Sequence, residues 1–293
     1  MAFEIDRFMD LSKAVDLSDM DWEYVARVGV TDDEAKCLRY MADIESHTIL
    51  YLRDLLAGHT SRDAEVTSFL SCWVYEETYH GRAIDKLLTV AGRPPEANRY
   101  EKTSEGASWR EDLEAFLSHS AAKATKHFAA AHMAWGAINE MMAASAYTQL
   151  ARHTKNKELS KLLLKLSKDE RRHQSFYYSQ AEKRLAASPV ARFLAKLALS
   201  RFWTPVGMGV GEADGIQFIA SFLYDDENGA QELRHMDRAM QKLPGLEWWN
   251  KGYEMVSGAM KEFETTNPVK AKALRAYKDE VRAGMTPEQL AVG

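Results

Sequence analysis

The chain is poor in cysteine. Its 293 residues include only Cys37 and Cys72, which form no CxxC pair. That excludes a disulfide scaffold, a zinc knot built on thiolates and a rubredoxin-type iron centre. Two separate thiols suit a reducing compartment, so the expected location is cytoplasmic. Glycine and proline are scarce, at 16 and 7 residues, which favours long helices over a turn-rich β architecture. No apolar run approaches the roughly 18 residues of a membrane helix, so no membrane span is expected. The first residues, Met1-Ala-Phe-Glu-Ile-Asp6, carry early acids and no apolar run, and no secretion signal is read there. A basic excess is also missing: the formal net charge is −5, which counts against nucleic acid as a partner.

What is present is apolar material, 46% of the residues, laid out with the period of a helix. Four long patterns of period 3.6 run over 33–57, 62–91, 121–154 and 157–187. Residues 1–30 read as an irregular lead with short helices, and a further short helix is expected around 108–118. Gly92-Arg-Pro-Pro-Glu-Ala-Asn98 breaks the chain after the second long pattern and opens a polar stretch reaching Ser108. Ser188-Pro189 ends the fourth pattern and starts another helix, Trp203–Gly211 reads as a loop, and Pro244-Gly245 interrupts the helices beyond it. The expected fold is all-α. Two helical hairpins joined by a long crossover make a ferritin-like four-helix bundle at about 33–187, with accessory helices over 188–293. The expectation is one domain, 1–293.

Two short strings carry most of the chemistry: Glu77-Thr-Tyr-His80 and Glu170-Arg-Arg-His173. In each, a spacing of three puts carboxylate and imidazole on one helix face, about a turn apart. Each is preceded on another helical pattern by a single glutamate: Glu45 lies 32 residues before Glu77, and Glu140 lies 30 before Glu170. With a turn after Ala57, where Gly58 is the expected C-cap, the arms from Glu45 and from Glu77 are roughly 18 and 22 Å long at 1.5 Å per residue. A turn near Lys155-Asn156 gives the second hairpin similarly matched arms. Both hairpins therefore bring their glutamate level with their Glu-x-x-His pair, the sequence form of a carboxylate-bridged two-metal site.

Six ligands are expected: Glu45, Glu77, His80, Glu140, Glu170 and His173. Four glutamates neutralise two divalent ions in a dry core. Imidazole and carboxylate suit iron or manganese, so two iron ions or an iron–manganese pair fit, with coordination positions left for O2. Asp169 and Glu76 adjoin ligands and are candidates to accept a hydrogen bond from the outer nitrogen of a ligand histidine. Trp73, one turn before Glu77, is either core or a further candidate to act beside the metals. Met141, Met142, Tyr51, Leu55 and Phe69 are candidates to line a substrate channel beside the metals. From Ala151 to Arg201 there are 13 lysines and arginines against 4 acids. That basic stretch, with Lys161, Lys165 and Lys168 on it, is either a solvated face or a docking surface for an acidic macromolecule.

Glu76-Glu-Thr-Tyr-His-Gly81 with Lys86-Leu-Leu88, Ala146-Tyr-Thr-Gln-Leu-Ala-Arg152 and Asp169-Glu-Arg-Arg-His173 together resemble the soluble acyl-carrier-protein desaturases, over roughly residues 35–205. The resemblance implies a homodimer whose di-iron centre uses O2 to remove two hydrogens from an acyl chain carried on acyl carrier protein. It also implies a ferredoxin-type electron donor, and the family's six iron ligands fall on the six residues named above. One position departs from the family. Plant members place a threonine three residues after the third glutamate ligand, where this chain has Ala143. The other readings are a di-iron oxygenase acting on a different, natural-product-type substrate, and iron storage. Arylamine N-oxygenases add a histidine seven residues before the last ligand, where Leu166 stands here, and storage cages do not need the residues after the bundle. The radical subunits of ribonucleotide reductase usually begin their ligand set with aspartate.

Overall fold

The computed structural model describes residues 3–57, 59–95, 125–205 and 215–284. Among these residues there are eleven α-helices, two short 3₁₀ turns and no strand. The lead forms α1 (Ile5–Leu11) and α2 (Trp22–Val28). The bundle follows as α3 (Asp32–Ala57), α4 (Ala64–Val90), α5 (Ala129–Arg152) and α6 (Lys157–Ala187). The accessory helices are α7 (Pro189–Arg201), α8 (Gly215–Tyr224), α9 (Glu227–Gln241), α10 (Lys251–Thr266) and α11 (Pro268–Ala283). The fold is all-α and ferritin-like, with α3/α4 and α5/α6 as its hairpins and a long connection between Val90 and Ala129.

Local chemistry sets the helix ends. The Asp63 carboxylate accepts from the amides of Glu65 (3.1 Å) and Val66 (3.4 Å) and starts α4. Asn156 Oδ1 accepts from Glu158 and Leu159, both at 3.0 Å, and starts α6. Its Nδ2 donates to the Gly29 carbonyl at 2.8 Å, which ties the second hairpin's turn to the end of α2. Ser188 caps α7, with Pro189 in the first turn where its missing amide costs nothing. Among the described residues the third long helix starts at Ala129, and positions 121–124 of its pattern lie outside them. Thr125 is extended and caps a 3₁₀ turn at Lys126–Phe128 through His127 N, so the chain enters α5 only after that turn. The polar crossover and the expected short helix at 108–118 lie outside the described residues, as does Gly58.

The hub is α5. Its alanine-rich sequence is buried on almost every side, as expected of a helix apolar all round. It packs along α6 and against α7, α8 and α9. Gly136 makes the closest approach: a Cβ there would sit 2.4 Å from Tyr177 Cδ1 on α6. The accessory helices close over the outer side of α5. Their interior includes Lys278, whose ammonium donates to the carbonyls of Ser221 (3.1 Å) and Asp225 (2.9 Å). No helix among the described residues is long and apolar enough to cross a membrane.

The Gly136 contact is testable. Gly136→Ala adds a helix-favouring residue, yet its methyl must displace the Tyr177 ring. The expected outcome is a loss of about 1–3 kcal/mol of unfolding free energy, read from the denaturant midpoint. An unchanged or raised midpoint would show that the ring yields freely and that this contact does not set the α5–α6 spacing.

Candidate metal centre

One glutamate comes from each of α3 and α5 and one Glu-x-x-His pair from each of α4 and α6, and all six side chains meet in the bundle core. Glu45, Glu77, His80, Glu140, Glu170 and His173 are each 6% exposed or less. They form two overlapping sets, Glu45–Glu77–His80–Glu170 and Glu77–Glu140–Glu170–His173, within each of which the donor atoms lie inside 4.8 Å of one another. Glu77 and Glu170 belong to both sets. Each places its carboxylate between the two halves, as a ligand shared by two cations must. Gly81 lets α4 come this close to α3, because a Cβ there would sit 3.3 Å from Glu45 Cβ. This gives the glycine after His80 a steric reason.

Both histidines turn Nδ1 inward and Nε2 outward. His80 Nδ1 lies 2.9 Å from Glu170 Oε1 and 4.0 Å from both Glu45 Oε2 and Glu77 Oε1. His173 Nδ1 lies 2.9 Å from Glu77 Oε1, 3.2 Å from Glu170 Oε2 and 3.6 Å from Glu140 Oε2. The outer nitrogens reach across the bundle: His80 Nε2 to Asp169 Oδ2 at 3.4 Å, and His173 Nε2 to Glu76 Oε2 at 2.8 Å. Each pair's histidine is thus held by the carboxylate that precedes the other pair. A proton on Nε2 leaves the Nδ1 lone pair facing the core, the tautomer a metal requires.

The donor set fits two divalent cations. Glu45 Oε2, Glu77 Oε1, His80 Nδ1 and Glu170 Oε1 are buried, yet none makes a hydrogen bond. His80 Nδ1 and Glu170 Oε1 are only 2.9 Å apart but not aligned with each other, which is how atoms stand when they face a common centre. Proton shifts point the same way. Burial, with the charges of neighbouring glutamates, pushes Glu45 well above the ordinary carboxyl range and Glu77 up to about 7. Burial, helped by the neighbouring Glu170, also raises Glu140 well above that range, against the opposing pull of His173. Burial opposes charge on His80, but the neighbouring carboxylates of Asp169, Glu170 and Glu45 outweigh it and raise the imidazole to about 10. Protein groups alone balance the cluster only by moving protons between its members, whereas two divalent ions supply four positive charges to four carboxylates.

Several partners were not assigned from the sequence. Arg172 Nη2 donates to both Glu76 Oε1 (2.6 Å) and Asp169 Oδ1 (2.9 Å). Tyr147 donates its hydroxyl to Glu45 Oε1. It lies seven residues after Glu140, two turns along one face of α5, and that spacing is the signal that would have found it. The lead also contributes. Lys13 N donates to Glu76 Oε1 at 3.2 Å, and the Phe8 ring lies 6.2 Å from that of His173. Trp73, singled out in the sequence by its place before Glu77, donates Nε1–H to Glu140 Oε1 at 3.0 Å.

A cavity of about 310 Å³ opens beside this cluster between α3, α5, α8 and α10. Glu45 and Tyr147 lie at its buried end, and Gly258 and Glu262 are exposed at the other. Of the expected lining residues, Met142 faces this space, and Ala143 does as well. Met141 and Phe69 do not line it. Met141 is buried core, and Phe69 stacks on Phe176 with centroids 3.8 Å apart, at the α4–α6 face. The side chains of Tyr51 and Leu55 lie outside the described residues. On the basic stretch, Lys161 and Lys165 both pair with Asp19 of the lead, and Lys165 also donates to the Asp16 carbonyl at 2.6 Å. Lys168 is exposed.

A family model described as Rubrerythrin matches residues 133–193. That stretch holds most of α5, all of α6 and the start of α7, and with them Glu140, Glu170 and His173. The chain is thus similar to a ferritin-like di-iron family over about a fifth of its length. Comparison with curated proteins and with solved structures gives no match. The similarity reaches the ferritin-like di-iron level and does not single out the acyl-carrier-protein desaturases.

Arg172→Leu tests the electrostatic frame around the cluster. It leaves the Glu76 and Asp169 carboxylates without their shared cation. The expected loss is about 1.5–3 kcal/mol of stability, read by denaturant unfolding of the metal-free protein. A loss below about 0.5 kcal/mol, the range of ordinary surface changes, would mean that the remaining partners, Lys13 N and His173 at Glu76 and His80 at Asp169, already satisfy both carboxylates.

Proposed function

We propose that the chain is an O2-dependent di-iron oxidoreductase that acts on an apolar chain held in the cavity beside Glu45. The desaturation of an acyl chain carried on acyl carrier protein is the specific reaction we assign. The observation that carries this reading is the pair of donor sets sharing Glu77 and Glu170, with the apolar cavity ending on Glu45 and Tyr147. The resemblance around Glu76–Gly81 and Asp169–His173 supports the choice of reaction.

In this reading Glu45, Glu77, His80 and Glu170 hold one ion and Glu77, Glu140, Glu170 and His173 the other. Bound there, the two irons supply the two-electron activation of O2 that oxidation of an unactivated C–H bond requires. The protein's own groups do the rest. Asp169 and Glu76 fix the histidine tautomers, and Trp73 and Tyr147 fix Glu140 and Glu45. The Met142, Ala143 and Ala146 side of α5 holds the chain against the cluster and keeps water out. A ferredoxin-type protein is the assigned electron donor, and a homodimer the assigned assembly. The charge pattern gives the carrier little to grip at Lys161 and Lys165, because Asp19 already pairs with both. Any carrier contact on this face falls to Lys168 and the outer arginines.

Hydroxylation is the second reading, and Ala143 favours it. The cavity wall has a methyl group where plant desaturases carry a hydroxyl, and the Tyr147 hydroxyl is the one bonded to a cluster carboxylate among the described residues.

Two experiments check the assignment. Purified protein should carry about two irons per chain by elemental analysis. Full loading in Glu140→Ala/Glu170→Ala would sink the ligand set, while Glu76→Gln should weaken metal affinity about 10–100-fold through His173. Mass spectrometry of stearoyl- or palmitoyl-carrier protein after turnover with O2 and a ferredoxin reducing system should show a loss of two hydrogens. A gain of one oxygen would replace desaturation with hydroxylation.

A further inference from the structure

Helix α7 is packed inside out. Its inner face, against α5 and α6, is Ala191, Ala195, Ala198 and Leu199, each 6% exposed or less. Its larger apolar side chains point away from the protein: Val190, Phe193 and Leu197 are 52%, 65% and 43% exposed. Positions i, i+3 and i+7 form one stripe along a helix. Leaving side chains of this size in water forfeits roughly 1.5–3 kcal/mol each relative to burial. Single exposed apolar residues are ordinary, but a contiguous stripe marks a contact surface. Cations border it. From Lys183 to Arg201 the chain has five basic residues and no acid, against a net charge of −5 overall. Arg184 is engaged by Asp63 at 2.6 Å. Lys196 and Arg201 are exposed and fall on the two edges of the stripe. One acid faces this side: Glu247, whose carboxylate accepts from Gly245 N at 2.9 Å and feels the charges of Arg192 and Lys196. The Lys196 ammonium also lies 6.0 Å from the ring centroid of half-buried Trp248.

We propose that the outer face of α7 docks on an anionic lipid surface, with Val190, Phe193 and Leu197 entering the headgroup boundary and Lys196 and Arg201 lying among the lipid phosphates. This goes beyond the oxidoreductase reading and does not depend on it. An apolar ridge edged by lysine and arginine is the pattern of a helix that lies in a membrane interface. The long cationic side chains keep their heads at the charged layer while their stems follow the apolar ridge. A second copy of this chain is the poorer occupant, because two such faces would set Lys196 and Arg201 against like charges. The helix has 13 residues, about 20 Å of length. Its hold on a bilayer is therefore reversible and needs the anionic charge as well as the apolar stripe. The helix is also fastened to the cavity. Lys251 at the start of α10 donates to the carbonyls of Leu199 (3.2 Å), Ser200 (3.2 Å) and Trp203 (3.1 Å), and Pro205 lines the cavity with α10. The anchor and one wall of the cavity are thus one rigid piece.

The test mixes the full chain with vesicles of phosphatidylcholine alone, or of phosphatidylcholine with about one third phosphatidylglycerol. Bound protein is read by co-sedimentation. The wild type is expected on the anionic vesicles and not on the neutral ones, and about 0.5 M salt should release it. Phe193→Ser/Leu197→Ser should lower the partition coefficient at least about tenfold. Lys196→Gln/Arg201→Gln should lower it roughly fivefold for each cation removed. If the serine pair does not fold, Phe193→Ala replaces it and must lower partition at least about threefold; no loss overturns the inference. Failure of the wild type to bind anionic vesicles would overturn it and leave the face to an acidic protein. Binding that the serine pair leaves unchanged would overturn it too, because the attraction would then come from another surface. A wild-type dimer that Phe193→Ser/Leu197→Ser turns into a monomer in sedimentation velocity would give the face to a second copy and overturn it likewise.

Discussion

Everything in this structure answers one electrostatic constraint: four glutamates stand together in a core that excludes water. Carboxylates at this spacing cannot all stay ionised without cations among them. A bundle can hold them only if the cations are part of its design and every backbone carrying a ligand is rigid. Each of the four helices contributes to that. The hairpins supply matched arms, Gly81 brings α4 onto α3, and Gly136 brings α5 onto α6. The surrounding carboxylates, Asp169 and Glu76, hold the histidine rings so that their lone pairs face inward.

The same helices that hold the cluster also shape the space beside it. Glu45 and Tyr147 belong to both: each faces the cluster on one side and the cavity on the other. The cavity needs the accessory helices, because α8 and α10 form the wall that the bundle leaves open. The lead performs the corresponding task on the far side, where Phe3 and Phe8 pack onto Phe69 and Phe176 and Lys13 N reaches Glu76. The residues outside the four-helix core thus give the cluster one dry flank and one accessible flank.

Most of the bundle and the meeting of the six side chains were legible in the sequence, because both rest on spacing. A helix fixes the geometry of Glu-x-x-His, and equal hairpin arms fix the level of Glu45 and Glu140. The cross-pairing of Asp169 with His80 follows from the same alignment. What depends on tertiary packing was not legible. Met141, Met142, Tyr51, Leu55 and Phe69 all read as possible channel lining, but whether an apolar side chain faces a cavity, as Met142 does, or a neighbouring helix depends on the accessory helices, whose docking no periodicity encodes. Phe69 is instead fixed by stacking on Phe176, and the cavity is walled by α8 and α10. The start of α5 turns on a single capping threonine, Thr125. Lys161 and Lys165 read as a basic surface because Asp16 and Asp19 lie some 145 residues away in the chain, in a lead whose fold carried no strong pattern.

Arg172 holds Glu76 with one hand and Asp169 with the other, and through them it reaches both histidines. The two halves of the cluster, drawn from different hairpins, therefore share one fastening. A shift of this guanidinium slackens both imidazoles together, and an ordered imidazole on one side steadies the other through the same group. The cluster is mechanically one object with two seats, so filling the first seat changes what the second has to offer.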